Sequence, residues 1–307
     1  LINFRYHIVS LMAVFLALAV GITLGVTLVS GEANKGLASQ AEQDRRQVQT
    51  YREQISNMQE LDKYRDAYAS QVGKELTADM LVGVPVAIVT MPDAPRSVTN
   101  NLQQAVRDSG GTVASVTTVK QQVFDPTQRQ QVLTALQPFS NQYKPGDDVA
   151  ARFGKVLGRA LLSGRDSMID QMGNNIGNAL NGSLISLDRS TQDVARLVIV
   201  VSAPASTPPL SADMLKRHVD FDVALSGDVQ GHLVVAGPNS TDMDATDVAT
   251  VRTDPESSNL LSSVDAADLP SGISTVMMAG AEQLEGGQGH YGWHSSADAP
   301  APELPIR

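Results

Sequence analysis

Ile8 to Gly31 is a run of 24 residues without a charge, preceded by Arg5 and His7 and ended by Glu32. As a helix rising ~1.5 Å per residue it covers the roughly 30 Å hydrocarbon core of a bilayer, so the pattern predicts a membrane-spanning helix. Within it Ala13, Ala17, Gly21 and Gly25 recur every four residues, and Gly21 to Gly25 is a literal GxxxG. Small residues at that spacing let two helix backbones approach closely in lipid, which makes this face a dimer seam, although small residues are also common in membrane helices generally. A cleaved signal peptide ending at Val29-Ser30-Gly31 is the alternative; the apolar run exceeds the ~7 to 15 residues such peptides use. Leu1 in first place reads as a non-ATG start or a trimmed chain.

From Glu32 to Asp79 the pattern changes to Gln, Glu, Arg, Lys and Ala, with apolar residues spaced by three and four. Ala41, Val48 and Ile55 keep a step of seven, with Tyr51 and Met58 between them, and Leu61, Tyr64 and Tyr68 carry the stripe onward. That is the signature of a coiled-coil stalk over 32–80, with a phase slip expected between Ile55 and Tyr64. Val48, Tyr51, Ile55, Met58, Leu61, Tyr64 and Tyr68 are the expected pairing surface, with a second copy or a partner membrane protein's helix; one long amphipathic helix packed on its own domain is the alternative.

The remainder alternates short apolar runs with amphipathic stretches. Val84–Thr90, Thr112–Val119, Arg196–Ser202 and His232–Pro238 read as buried strands, and Val248–Arg252 as a further one. Ser97–Ser109, the stretch opened by Pro126, Asp148–Ser163, Ser211–Leu225 and Ile273–Leu284 read as helices, and Met168, Met172, Ile176 and Leu180 mark a weaker one whose methionines fill core. The fold class is therefore α/β: an open, mostly parallel sheet domain over 81–285, behind a cytoplasmic stub and transmembrane helix over 1–31 and the stalk. Residues 286–307, rich in Gly and Pro, read as a flexible tail.

Charge narrows the partners. The chain carries −10 with a pI near 4.9, which excludes a broad nucleic-acid footprint. Arg5 before the span, against Glu32 and Lys35 after it, gives a small positive-inside bias that puts the N-terminus in the cytoplasm and the bulk in the periplasm. Cysteine is absent and aromatics make up 4% of the chain, so a cysteine nucleophile is impossible and a barrel with aromatic girdles is unsupported.

Catalytic motifs are equally scarce. GxSxG, HExxH and a P-loop are missing; Gly287-Gln288-Gly289-His290-Tyr291-Gly292 satisfies GxGxxG but follows a helix and leads to Pro300, the reverse of a dinucleotide-binding turn. The expectation is a non-enzymatic protein without a resident cofactor. Copper is the one metal to weigh, and it needs soft or imidazole ligands. His290 and His294, at i, i+4 spacing, are the candidate metal pair, although the glycines around them disfavour a helix. His218 with Asp220 and Asp222 reads as solvated helix surface.

Asn3-Phe4-Arg5-Tyr6-His7, Ala13 to Gly21 with Gly25, Val234-Val235-Ala236-Gly237-Pro238, and Ala281-Glu282-Gln283-Leu284 through Gly289-His290-Tyr291-Gly292 together resemble the actinobacterial MctB family of copper transport proteins. The likeness runs in the same order over nearly the whole chain. It implies copper export or resistance across the envelope. The family's corynebacterial branch, similar to SteB, implies a second role: a dimeric or hetero-oligomeric scaffold in cell separation, holding a membrane partner upstream of a peptidoglycan hydrolase or its regulator. The single span and stalk suit the scaffold; the family label favours transport.

Overall fold

The computed structural model describes residues 4–227 and 232–303, with the backbone alone for 27–38. The chain divides into two compact units, residues 1–65 and 66–307.

In the first unit the described residues belong to one helix, α1 (Phe4–Thr77), which continues into the second. Phe4–Val26 is long and apolar enough to cross a membrane, with none of the span buried by protein. Gly21 and Gly25 present open backbone, with nothing within 4 Å of where a Cβ would lie. The expected phase slip does not break the helix, and Val48, Tyr51, Ile55, Met58, Leu61, Tyr64 and Tyr68 are all exposed, by 45% to 66%. The Val29-Ser30-Gly31 cleavage candidate lies outside the residues whose side chains are described.

The second unit takes in the last turns of α1 and then alternates strands and helices. In chain order these are β1 (Pro85–Thr90), α2 (Arg96–Asp108), β2 (Thr112–Val119), α3 (Arg129–Leu136), α4 (Val149–Leu161), β3 (Gly164–Arg165), β4 (Met168–Ile169), α5 (Gln171–Leu180), β5 (Ile185–Arg189), β6 (Leu197–Val201), α6 (Ala212–Ser226), β7 (Leu233–Ala236), α7 (Asp247–Thr253), β8 (Ser262–Val264), α8 (Pro270–Leu284) and β9 (His290–Tyr291). Seven strands form one sheet in the order β5-β2-β1-β6-β7-β8-β9. All neighbours are parallel except β5, which runs antiparallel on β2.

Alternation along the strands explains the layers. Val86 and Ile88 of β1 join Leu197, Ile199 and Val201 of β6 against α2 and α8 on one face. Ala87, Val89, Val198 and Val200 face α3 to α7 on the other, where Phe153, Leu157 and Phe221 fill the larger core. Strands buried on both faces read as continuous apolar runs, which is why β1, β6 and β7 were legible from sequence. Gly73 on α1 lies so close to Ser274 of α8 that a side chain there would collide with it.

Three expectations are corrected. Val248–Arg252 is α7, not a strand: Thr246 caps it by accepting from the Ala249 amide at 3.3 Å, and Val248 and Val251 bury one helical face, so the cap outweighs the β-branched composition. Met168 and Met172 are 52% and 39% exposed and fill no core, because Met168 lies in the two-residue strand β4 and only Ile176 and Leu180 of that row turn inward. Within the segment expected to be a loose tail, His290–Tyr291 joins the sheet as β9: Ser263 pairs with His290 and Val264 with Tyr291, and Tyr291 is buried.

Candidate functional site

The sheet order reverses between β1 and β6: the chain leaves β1 to one side for β2 and later builds β6, β7 and β8 on the other. In open α/β sheets the loops leaving two such strands diverge and open a crevice at their carboxyl ends. Here those loops supply Pro92 and Asp93 after β1, and Ala203, Pro204 and Ser206 after β6. Phe124 and Asp125 close one side, Leu210 before α6 with the α6 residues Met214, Leu215 and His218 another, and Ala245, Thr246 and Asp247 a third. The cavity is about 130 Å³.

Its chemistry centres on a buried pair. His218 Nδ1 lies 2.9 Å from Asp247 Oδ1, with side chains 8% and 5% exposed. A carboxylate oxygen accepts at this contact, so in the neutral imidazole Nδ1 carries the proton and Nε2 the lone pair. Nε2 has no hydrogen-bond partner among the described residues, and His218 lines the crevice. The Phe124 ring sits edge-on at 4.4 Å from the imidazole, and Phe221 sits 5.7 Å from Phe124. Ser206, the one serine on the crevice wall, donates to the Pro208 carbonyl at 2.8 Å and so is not paired with the imidazole as a nucleophile.

Asp222, one turn beyond His218 on α6, is fully buried, and neither carboxylate oxygen has a hydrogen-bond partner among the described residues. Burial first, then the charge of Asp247, pushes its carboxyl well above the ordinary range. The reading of His218, Asp220 and Asp222 as solvated surface is therefore corrected. Only Asp220 keeps to the surface, paired with Lys216. The partner that buries the histidine, Asp247, lies 29 residues away in sequence and is brought in by α7.

The histidines singled out from sequence go elsewhere. His290 on β9 is buried, with Nδ1 3.0 Å from the Ser263 hydroxyl and Nε2 3.2 Å from the Ser258 carbonyl. Burial lowers its pKa, Arg252 nearby works in the same direction, and the Asp298 carboxylate opposes both. His294 Nδ1 bonds the Ser296 hydroxyl at 2.8 Å, and its Nε2 faces Asp244 at 3.9 Å. Among the described residues no three His, Cys, Asp or Glu side chains converge as a metal cluster. Ala13, Ala17, Gly21 and Gly25, and the stripe from Val48 to Tyr68, all lie on α1.

These features define a class: an α/β protein with a switch-point crevice, introduced by one N-terminal helix long and apolar enough to cross a membrane. The chain belongs to the MctB family, whose model, described as "Copper transport outer membrane protein, MctB", matches residues 1–302. The copper transporter MctB of Mycobacterium tuberculosis strain H37Rv is 29% identical over 307 residues, covering 95% of this chain and 96% of that one. The copper transporter MctB of Mycobacterium bovis shows the same identity and coverage. That of Mycobacterium leprae is 24% identical over 311 residues. The family is named for transport and not for a catalysed reaction.

Proposed function

We propose that this protein is a membrane-anchored, non-enzymatic assembly component of copper handling in the cell envelope, acting through pairing of its long helix. Copper is its cargo, and the N-terminus is cytoplasmic with the α/β unit in the periplasm. The observation that carries the reading is the row of large apolar side chains from Val48 to Tyr68 on α1, each at least 45% exposed. Full burial of one such side chain contributes about 1.5–3 kcal/mol, so a helix that leaves seven of them in water is strongly favoured to pair. A second copy fits best, because the small-residue face at Gly21 and Gly25 lies on the same helix and suits a parallel partner. One span cannot enclose a helical pore, so passage of copper needs other subunits for which this chain is the scaffold.

These 307 residues contain no cysteine, so single cysteines give an unambiguous readout. Cysteines placed one at a time from Val48 to Tyr68 in membranes are expected to crosslink between copies with helical periodicity, strongest at Val48 and Ile55. Absence of crosslinking at every position overturns the pairing. Cells lacking the chain are expected to accumulate copper and lose tolerance to it. The same helix serves the cell-separation role that the SteB likeness implies, with a membrane partner upstream of a peptidoglycan hydrolase. A separation defect without copper sensitivity selects that role instead.

A further inference from the structure

We propose that the switch-point crevice is a Cu(I) site in which the Met214 thioether and the His218 Nε2 are the protein ligands and Asp247 is the positioning residue. The inference rests on the copper reading above and names the site where this chain takes its cargo.

Met214 and His218 are four residues apart on α6 and both line the crevice. On a helix such residues are neighbours, with Cβ atoms ~5–6 Å apart, close enough for their side chains to meet on one ion. Thioether and neutral imidazole are the soft and borderline donors that suit Cu(I), whereas hard cations need clustered oxygen ligands. Metal-binding histidines characteristically donate their other ring N–H to a carboxylate, which fixes the tautomer and raises the basicity of the ligating nitrogen. The His218 Nδ1 to Asp247 Oδ1 bond of 2.9 Å is that arrangement, already in place. Phe124 against the imidazole and Leu215 on the wall put apolar surface beside the two donors, while Asp93 and Asp125 also line the crevice. The cavity of about 130 Å³ leaves room for a third, exchangeable ligand, as a carrier that must release its cargo requires.

The test uses the full chain in detergent, titrated with Cu(I) in competition with a chromogenic Cu(I) chelator, with X-ray absorption on the loaded protein. One ion per chain with a nitrogen and sulfur shell is expected. Met214→Leu, which keeps shape and fold, and His218→Gln are each expected to weaken binding about tenfold or more, while a His290→Ala, His294→Ala double variant leaves it unchanged. Asp247→Asn is expected to lower affinity by about 10–100-fold with the same absorption shell, the mark of a positioning residue. Binding that ignores Met214→Leu, or a shell without sulfur, overturns the site, as does no binding by the unaltered chain. Copper tolerance then separates this failure from failure of the copper reading. If the unaltered chain and Met214→Leu restore tolerance equally, copper handling stands without this site; if neither affects tolerance, both fall.

Discussion

Arg252 on α7 and Asp265 just past β8 form an ion pair of 2.9 Å whose side chains are 2% and 0% exposed. The guanidinium also donates to the Ser263 hydroxyl, to Ser296 and to the Tyr291 carbonyl, while Asp265 accepts from the Trp293 amide at 2.8 Å. One buried pair thus fastens β9 and the residues just after it to β8 and α7. Removing one partner leaves the other charged and unpaired in the interior, which costs about 3–5 kcal/mol. Arg252→Ala or Asp265→Ala is expected to release the segment after Gly286, seen as early proteolysis and rapid amide exchange at His290 and Tyr291. Gly292→Ala is expected to act in the same direction, since Gly292 has φ +141° and a methyl there would run into the Asp265 carboxylate.

Asp222 gives stability an inverted dependence on pH. The native state holds its proton to a pH well above the value near ~3.9 at which the unfolded chain releases it. Between those values the native state binds more protons, so this residue's contribution to stability falls as pH rises through that window and levels off above it. Asp222→Asn is expected to melt higher than the unaltered protein at pH 7 and close to it at pH 4. At roughly 2–4 °C per kcal/mol for a unit of this size, calorimetry resolves the difference. A gap that widens on acidification would contradict the buried, unpartnered carboxylate.

The stalk stripe predicts a mass. Ile55→Asp places a charge at the centre of the exposed row and is expected to weaken self-association at least tenfold, about 1.4 kcal/mol, read by light scattering across a dilution series. The α/β unit should keep its melting temperature, because Ile55 lies in residues 1–65 and the unit's core in 66–307.

The membrane face makes a separate prediction. Gly21→Ile and Gly25→Ile add bulk where the backbone is now open, so energy transfer between labelled copies in vesicles should fall for either variant. Ile22→Leu on the same helix should leave it unchanged.

Sequence pattern alone located α1, β1, β6 and β7, because a span, a heptad and a strand buried on two faces each write a continuous periodic signal. It missed β5, β8 and β9, which are two to five residues long and too short to alternate visibly, and it read α7 as a strand from its valines and threonines when the deciding residue was the cap, Thr246. The crevice was illegible for a different reason. The helix Ser211–Leu225 shows no sign of a site, because His218 reads as surface until the sheet order brings Asp247 beside it from 29 residues away. His290 and His294 drew attention by spacing alone, and the sheet then committed His290 to Ser263 and Ser258.

The position of β9 fixes an order of assembly. β8 is laid down with an unpaired edge, and the strand that covers it arrives only after α8, when residue 291 has been made. Until then every nascent chain carries a short adhesive border, a template for joining other nascent chains. Anything that delays the closing strand therefore also acts on how many copies reach the finished state alone.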